Sequence, residues 1–216
     1  MKKSVVLIVE DHPGQAQLNC ELIERLLPEA YFVKAETPDQ ARERLKLETP
    51  DFIVVDLHFG EISGEKSSEP GLELLKEIFA KFPSLNILIS SNDPDCLVRI
   101  KDEINNHEGG FVVSDKLEGA RMFLNKAEMG LNGAKLLPKE ILRGMPINNK
   151  EQKILKLLWH KCWKDKRIAL EMGIGERTVQ NHIRNMKDKL DICGRYGEDA
   201  SERVALCREA VRLRLV

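Results

Sequence analysis

Up to about residue 130, short β-rich runs alternate with helical patterns, and that alternation leaves few folds open. The runs are SVVLIV (4–9), AYFVKA (30–35), DFIVVD (51–56), LNILIS (85–90) and GFVVS (110–114). Between them, apolar residues recur at helical spacing, as at Leu18, Leu22 and Leu26 or at Leu72, Leu75 and Phe79. The first, third and fourth runs are apolar without alternation, as parallel strands covered by helices on both faces must be. Five such repeats predict an α/β domain, a doubly wound five-stranded parallel sheet of order 2-1-3-4-5. Sheets of this kind bind ligands at the carboxyl ends of their strands.

The acids fall at those ends. Glu10 and Asp11 follow the first run, and Asp56 closes the third, which neighbours the first in that order. Ser90 ends the fourth. Three carboxylates brought together repel and raise one another's pKa values, so a bound divalent cation is the economical explanation. All-oxygen ligands with room for water suit Mg2+. After Asp56 comes a long polar stretch holding Gly60, Ser63, Gly64, Ser67, Ser68 and Gly71, with Pro70 at the expected start of the next helix. Its composition reads as a mobile surface loop: a tolerated insertion, a lid over the acids or a partner-specific contact.

The motifs VVLIVEDHP, FIVVDL, GLELLKEI and ILISS, in that order, resemble the receiver domain of bacterial response regulators over roughly residues 3–131. The resemblance implies that Asp56 accepts a phosphoryl group from a sensor histidine kinase. It implies that Glu10, Asp11, Asp56 and the His58 carbonyl hold Mg2+. Ser90 would be the switch hydroxyl and Phe111 the aromatic that changes rotamer. Two departures stand out. The loop after Asp56 is about seven residues longer than the family's, and the family's lysine position after GFVV holds Ser114, with Lys116 two residues on. Lys116 is the candidate to grip the phosphoryl group. An aspartate-based phosphatase would carry a second acid two residues after its nucleophile, and here that residue is His58.

Charge divides the chain. Residues 1–144 hold 18 Lys and Arg against 25 Asp and Glu; residues 145–216 hold 16 against 10. A basic second half points to nucleic acid. Residues 132–147 read as a Gly- and Pro-punctuated linker, and 148–216 as an all-α domain. Within it, Val179, Ile183, Met186 and Leu190 share one helical face, while Arg177, Gln180, Asn181, Arg184 and Lys187 lie elsewhere on that helix. A short helix, a turn with Gly173 and Gly175, and a helix carrying Arg, Gln and Asn follow helix-turn-helix logic.

RTVQNHIRNMKDKL and NNKEQKILKLL (with Glu151) resemble the recognition and first helices of the NarL/FixJ, LuxR-type DNA-binding domain, covering 147–192. The resemblance implies contacts to double-stranded DNA from Gln180, Asn181 and Arg184, with Thr178 and Lys187 near phosphates and Arg177 beside them. It also implies a homodimer through the last helix, where Val204, Cys207 and Val211 recur at helical spacing. His182, Trp159 and Trp163 read as packing residues. The five scattered cysteines, none spaced C-x-x-C, suit reduced thiols in the cytoplasm. No stretch is apolar enough for a membrane span. The chain therefore reads as a phosphorylation-controlled, DNA-binding regulator rather than a dedicated enzyme. The alternative is a DNA-binding regulator whose receiver senses a ligand or protein partner without phosphorylation.

Overall fold

Unbranched alternation of buried runs and capped helices organises the first part of the chain. The computed structural model describes residues 3–60, 66–142, 145–196, 201–213 and 215–216. The elements are β1 (Val5–Val9), α1 (Pro13–Glu24), β2 (Tyr31–Ala35), α2 (Pro38–Leu47) and β3 (Phe52–Val55). They continue with β4 (Phe59–Gly60), β5 (Lys66–Ser67), α3 (Glu69–Lys81), β6 (Asn86–Ser91), α4 (Lys101–Asn106), β7 (Phe111–Asp115) and α5 (Ala120–Leu131). Every residue of β1 and β3 is buried. This is what an apolar run without alternation demands.

Up to residue 115 the large sheet runs β2-β1-β3-β6-β7, the expected order. After α5 comes β8 (Lys135–Leu136), too short to leave a strand pattern in the sequence. The β1, β2, β3, β6 and β7 ladders are parallel, and their register sets Val9 beside Val55, Val55 beside Ile89 and Ser90 beside Ser114. The carboxyl ends of the central strands are thereby level.

The expectation of a mobile loop after Asp56 needs correction at its described ends. Phe59–Gly60 and Lys66–Ser67 pair as an antiparallel hairpin, and Phe59 is buried. Ser63 and Gly64 lie outside the described residues. The hairpin returns the chain closely onto the Asp56 strand: a Cβ on Gly71 would sit 2.5 Å from the Leu57 carbonyl oxygen. Glycine is what lets α3 start there, with Pro70 in its first turn.

The chain divides into two compact units, Met1–Gly133 and Ala134–Val216. The second adds α6 (Lys139–Leu142), α7 (Asn149–Lys161), α8 (Asp165–Met172), α9 (Glu176–Lys189), α10 (Ile192–Tyr196) and α11 (Glu202–Arg212) to β8. Its core joins Ile154, Leu155 and Leu158 of α7, Ile168 of α8, Val179, Ile183 and Met186 of α9, and Leu206 and Ala210 of α11. A capping box starts α7: the Asn148 side chain accepts from the Glu151 N–H, and the Glu151 carboxylate accepts from the Asn148 N–H. The turn into α9 is made by Gly173 at φ +66°, a left-handed conformation open to glycine without strain.

Candidate functional sites

In the first unit, strand ends aim four chemical groups at one place. Glu10 follows β1, and Asp56 follows β3 with its N–H bonded to the Val9 carbonyl at 2.9 Å. Both are buried, at 1% and 3% exposure. Asp56 Oδ1 accepts from the N–H groups of Leu57 at 2.7 Å and His58 at 3.2 Å. Asp56 Oδ2 faces Lys116, whose Nζ donates to it at 2.8 Å and lies 2.7 Å from Glu10 Oε2. That second contact has ion-pair distance without hydrogen-bond alignment, so Glu10 Oε2 is a buried oxygen still lacking a directed donor. Asp11 Oδ2 accepts from the Gly60 N–H at 3.1 Å, which ties the hairpin to the site.

Charge and burial compete here. Burial pushes the Glu10 carboxyl up, Lys116 pulls it back and the Asp56 charge raises it again; the net is upward. Burial works against the Lys116 ammonium, but the hydrogen bond to Asp56 and the negative charges of Asp56 and Glu10 outweigh it and hold its pKa above the ordinary value. Lys116 thus reaches the carboxylates from two residues beyond the position that Ser114 fills. The side chain of Ser114 is buried, its Oγ 3.4 Å from Glu118 Oε2.

Carboxylate oxygens of Glu10, Asp11 and Asp56 lie within 4.8 Å of one another. Three hard oxygen donors, one of them lacking a directed partner, fit a divalent cation of the Mg2+ type. The His58 ring nitrogen Nδ1 is 3.1 Å from Ser91 Oγ, and Ser90 is buried beside Ser114. Phe111 stands apart: it opens β7 opposite Ile87, fully buried, with its ring 5.7 Å from Phe79.

In the second unit, α9 carries the residues expected to meet DNA, and the structure sorts them. Arg177, Gln180 and Arg184 are exposed. Two expectations are corrected: Thr178 and Asn181 are buried, at 3% and 8% exposure, although periodicity turns Asn181 away from the apolar seam. β8 and α6 also pack against α9, where Asn185 Nδ2 donates to the Lys135 carbonyl at 2.9 Å. Lys187 is half-buried, and its Nζ donates to Glu202 Oε2 at 2.5 Å. His182 is a packed residue, its pKa lowered to about 4 by burial and by the charges of Lys135, Lys150 and Lys189. Lys189 pairs with Glu151 at 2.8 Å, both almost wholly buried. Burial holds the Lys189 pKa below its ordinary value despite that pairing.

Trp163 packs on the core, whereas Trp159, expected to pack, is 44% exposed. Lys164, Lys166 and Arg167 are exposed at the start of α8, a basic cluster whose signal in the sequence is the run WKDKR. The Arg167 guanidinium lies 4.9 Å over the Trp163 ring. On α11, Val204 and Val211 are exposed, while Cys207 is half-buried against the core.

Residues 145–196 match the family described as bacterial regulatory proteins, luxR family. Over 200 residues, 86% of this chain and 88% of the relative, the sequence is 26% identical to the transcriptional regulatory protein YdfI of Bacillus subtilis (strain 168). The fold is similar to that of the two-component response regulator RcsB in its complex with DNA. That likeness covers 97% of this chain and 98% of the other, at 19% identity and a TM-score of 0.50. The buried carboxylates at the strand ends of the first unit and the luxR-family match over residues 145–196 of the second make the chain similar to NarL/FixJ-type response regulators, in which a receiver is followed by a DNA-binding domain.

Proposed function

We propose that Asp56 is the phosphoacceptor of this regulator and that its phosphorylation by a sensor histidine kinase controls dimerisation and DNA binding. The observation that carries the reading is the asymmetry of the Asp56 carboxylate: Oδ1 is held by two backbone N–H groups, while Oδ2 faces the Lys116 ammonium. The carboxylate is oriented before any donor arrives, which is how a weak nucleophile is made useful. An Asp56 oxygen forms a bond to phosphorus as the donor's bond to phosphorus breaks, and the leaving group takes up a proton. Lys116 neutralises charge on the phosphoryl oxygens. Ser90, the penultimate residue of β6, hydrogen-bonds them afterwards. Glu10, Asp11 and Asp56, with the His58 carbonyl, would hold Mg2+, which supplies charge neutralisation at the attacked phosphorus. A phosphoacceptor of this kind is a substrate of its kinase, not a dedicated enzyme.

For DNA, α9 enters the major groove, with Gln180 and Arg184 reaching base edges and Arg177 and Lys187 at phosphates. Lys164, Lys166 and Arg167 at the start of α8 add phosphate contacts. Val204, Cys207 and Val211 of α11 face a second copy. The test is incubation with acetyl phosphate and Mg2+ followed by intact mass. A single phosphoryl adduct on the wild type and none on Asp56→Asn is the expected result. Adduct on Asp56→Asn at the wild-type rate overturns the assignment. No adduct on either protein favours a receiver that senses a ligand or partner.

A further inference from the structure

Hydrogen bonds at both ends hold α7 and α11 antiparallel. Near the start of α7, Gln152 Nε2 donates to the Leu215 carbonyl, beyond the end of α11, at 3.4 Å. At the other end, Arg203 donates to the Trp163 carbonyl at 3.0 Å and to Asp165 Oδ1 at 2.8 Å. Cys162 adjoins Trp163, and Cys207 follows Arg203 by one turn on the same face of α11. Two cysteines far apart in the chain are thereby brought to one end of the helix pair. At the helical rise, this register sets them about 4 Å apart along the common axis. Their side chains lean together across that offset. Cys162 Sγ points back along α7, 3.8 Å from the Trp159 carbonyl. Cys207, like any helical residue, tilts toward the start of its own helix, which is the Trp163 end of α7.

The backbone gives a second, independent sign. Cys162 closes α7 in the left-handed region, at φ 51°, where glycine is the usual residue and a Cβ is disfavoured. A residue kept in that conformation against its preference is a candidate for a role of its side chain. The two thiols also differ in setting. Cys162 is exposed, whereas Cys207 is half-buried against the core. Burial pushes the Cys207 thiol up, Arg203 pulls it down and the neighbouring Cys162 pushes it up again. An oxidant therefore meets Cys162 first, with a sheltered thiol beside it to resolve the product.

We propose that Cys162 and Cys207 are a peroxide-responsive thiol pair that closes to a disulfide between the end of α7 and α11. The Cys162 thiolate attacks one oxygen of hydrogen peroxide and the O–O bond breaks. Cys162 becomes a sulfenic acid, and the other oxygen leaves as hydroxide and takes up a proton. The Cys207 sulfur then attacks the Cys162 sulfur. The S–S bond forms, the S–O bond breaks, and the hydroxyl leaves with the Cys207 proton as a second water. The two thiols give up two electrons, and the peroxide accepts both. This gives the second unit an input of its own, separate from Asp56.

The experiment uses the full chain, reduced, then treated with hydrogen peroxide and mapped as peptides without reduction. The expected result is a loss of two of the five free thiols, a linked Cys162–Cys207 peptide pair, and recovery of both thiols with dithiothreitol. Cys207→Ser should stop at a sulfenic acid on Cys162, trapped by dimedone, and Cys162→Ser should keep Cys207 reduced. Oxidation of wild-type Cys162 to a sulfenic or sulfinic acid without a bridge overturns the pair. A bridge from Cys162 to another cysteine or to a second chain overturns it equally, as does survival of both thiols. Should Cys207→Ser fail to fold, the peptide map of the wild type decides alone.

Discussion

Each unit buries a lysine against acid, and the two burials are built differently. Lys189 meets one carboxylate, Glu151, whose Oε2 also accepts from the Asn148 N–H, and Lys189 itself reaches the Pro146 carbonyl. One charge answers one charge, and spare donors find carbonyls. Lys116 faces two carboxylates, Glu10 and Asp56, with Asp11 close by, and Glu10 Oε2 lacks an aligned donor. The pKa values of the two lysines shift in opposite directions for that reason: burial lowers that of Lys189, whereas the surrounding acid outweighs burial and raises that of Lys116. A matched buried pair is a strut. A mismatched one at strand ends is a place for chemistry, because it has charge left over for a ligand.

The strut should show the largest effect when cut. Glu151→Ala leaves the Lys189 ammonium buried without its partner and removes half of the capping box, so we expect a loss of roughly 3–5 kcal/mol. Both tryptophans, Trp159 and Trp163, belong to the second unit, so tryptophan fluorescence in urea reads that unit alone. A loss under about 1 kcal/mol would mean the pair behaves as a surface salt bridge, and the contrast between the units would fail.

A third buried group in the second unit sets its response to acid. His182 is neutral in the fold, with a pKa of about 4 against an ordinary 6.5. The unfolded chain binds the proton first as pH falls, so the unit keeps its full stability above about 6.5 and loses it progressively down to about 4. The loss approaches about 3 kcal/mol at 1.36 kcal/mol per unit. Urea midpoints measured by tryptophan fluorescence across that window should fall for the wild type. His182→Gln, having no such titration, should give a flatter curve; an equal slope in both would assign the acid response to other groups.

Much of this was legible in sequence, for reasons that can be named. Strands buried on both faces leave continuous apolar runs, so β1, β3 and β6 were placed to within a residue or two. Carboxylates at the ends of such runs identify their own neighbourhood once the strand order is fixed, and Glu10, Asp11 and Asp56 indeed converge. The sequence offers Lys116 as a candidate, but its reach depends on the turn after β7, which no periodicity encodes. The burial of Thr178 and Asn181 was not legible, because helical periodicity describes one helix and its core, not what packs on its polar side. β8 failed for the opposite reason: two residues carry no period at all. The Glu151–Lys189 pair joins residues 38 apart, and charged residues near helix ends give no sign in sequence of being buried together.

The smallest expected effect discriminates the two lysines most directly. If the site around Lys116 has charge to spare for a cation, Mg2+ at about ten times its Kd should stabilise the first unit of the wild type by ~1.4 kcal/mol. Hydrogen exchange of the β1 and β3 amides reads that unit separately. Lys116→Met removes the ammonium that Glu10 and Asp56 now share, leaving three carboxylates whose mutual repulsion only a bound cation relieves. Without divalent ions this variant should be the less stable protein, and at one fixed Mg2+ concentration it should gain more protection than the wild type, because the ion no longer competes with an internal charge. Lys189→Met should be destabilised in the second unit with no recovery on adding Mg2+, since a single buried carboxylate held in a capping box offers a cation one ligand rather than three. Equal responses to Mg2+ in Lys116→Met and Lys189→Met would show that the convergence of Glu10, Asp11 and Asp56 is not a cation site, and with it the reading of Asp56 as a metal-assisted phosphoacceptor would fall.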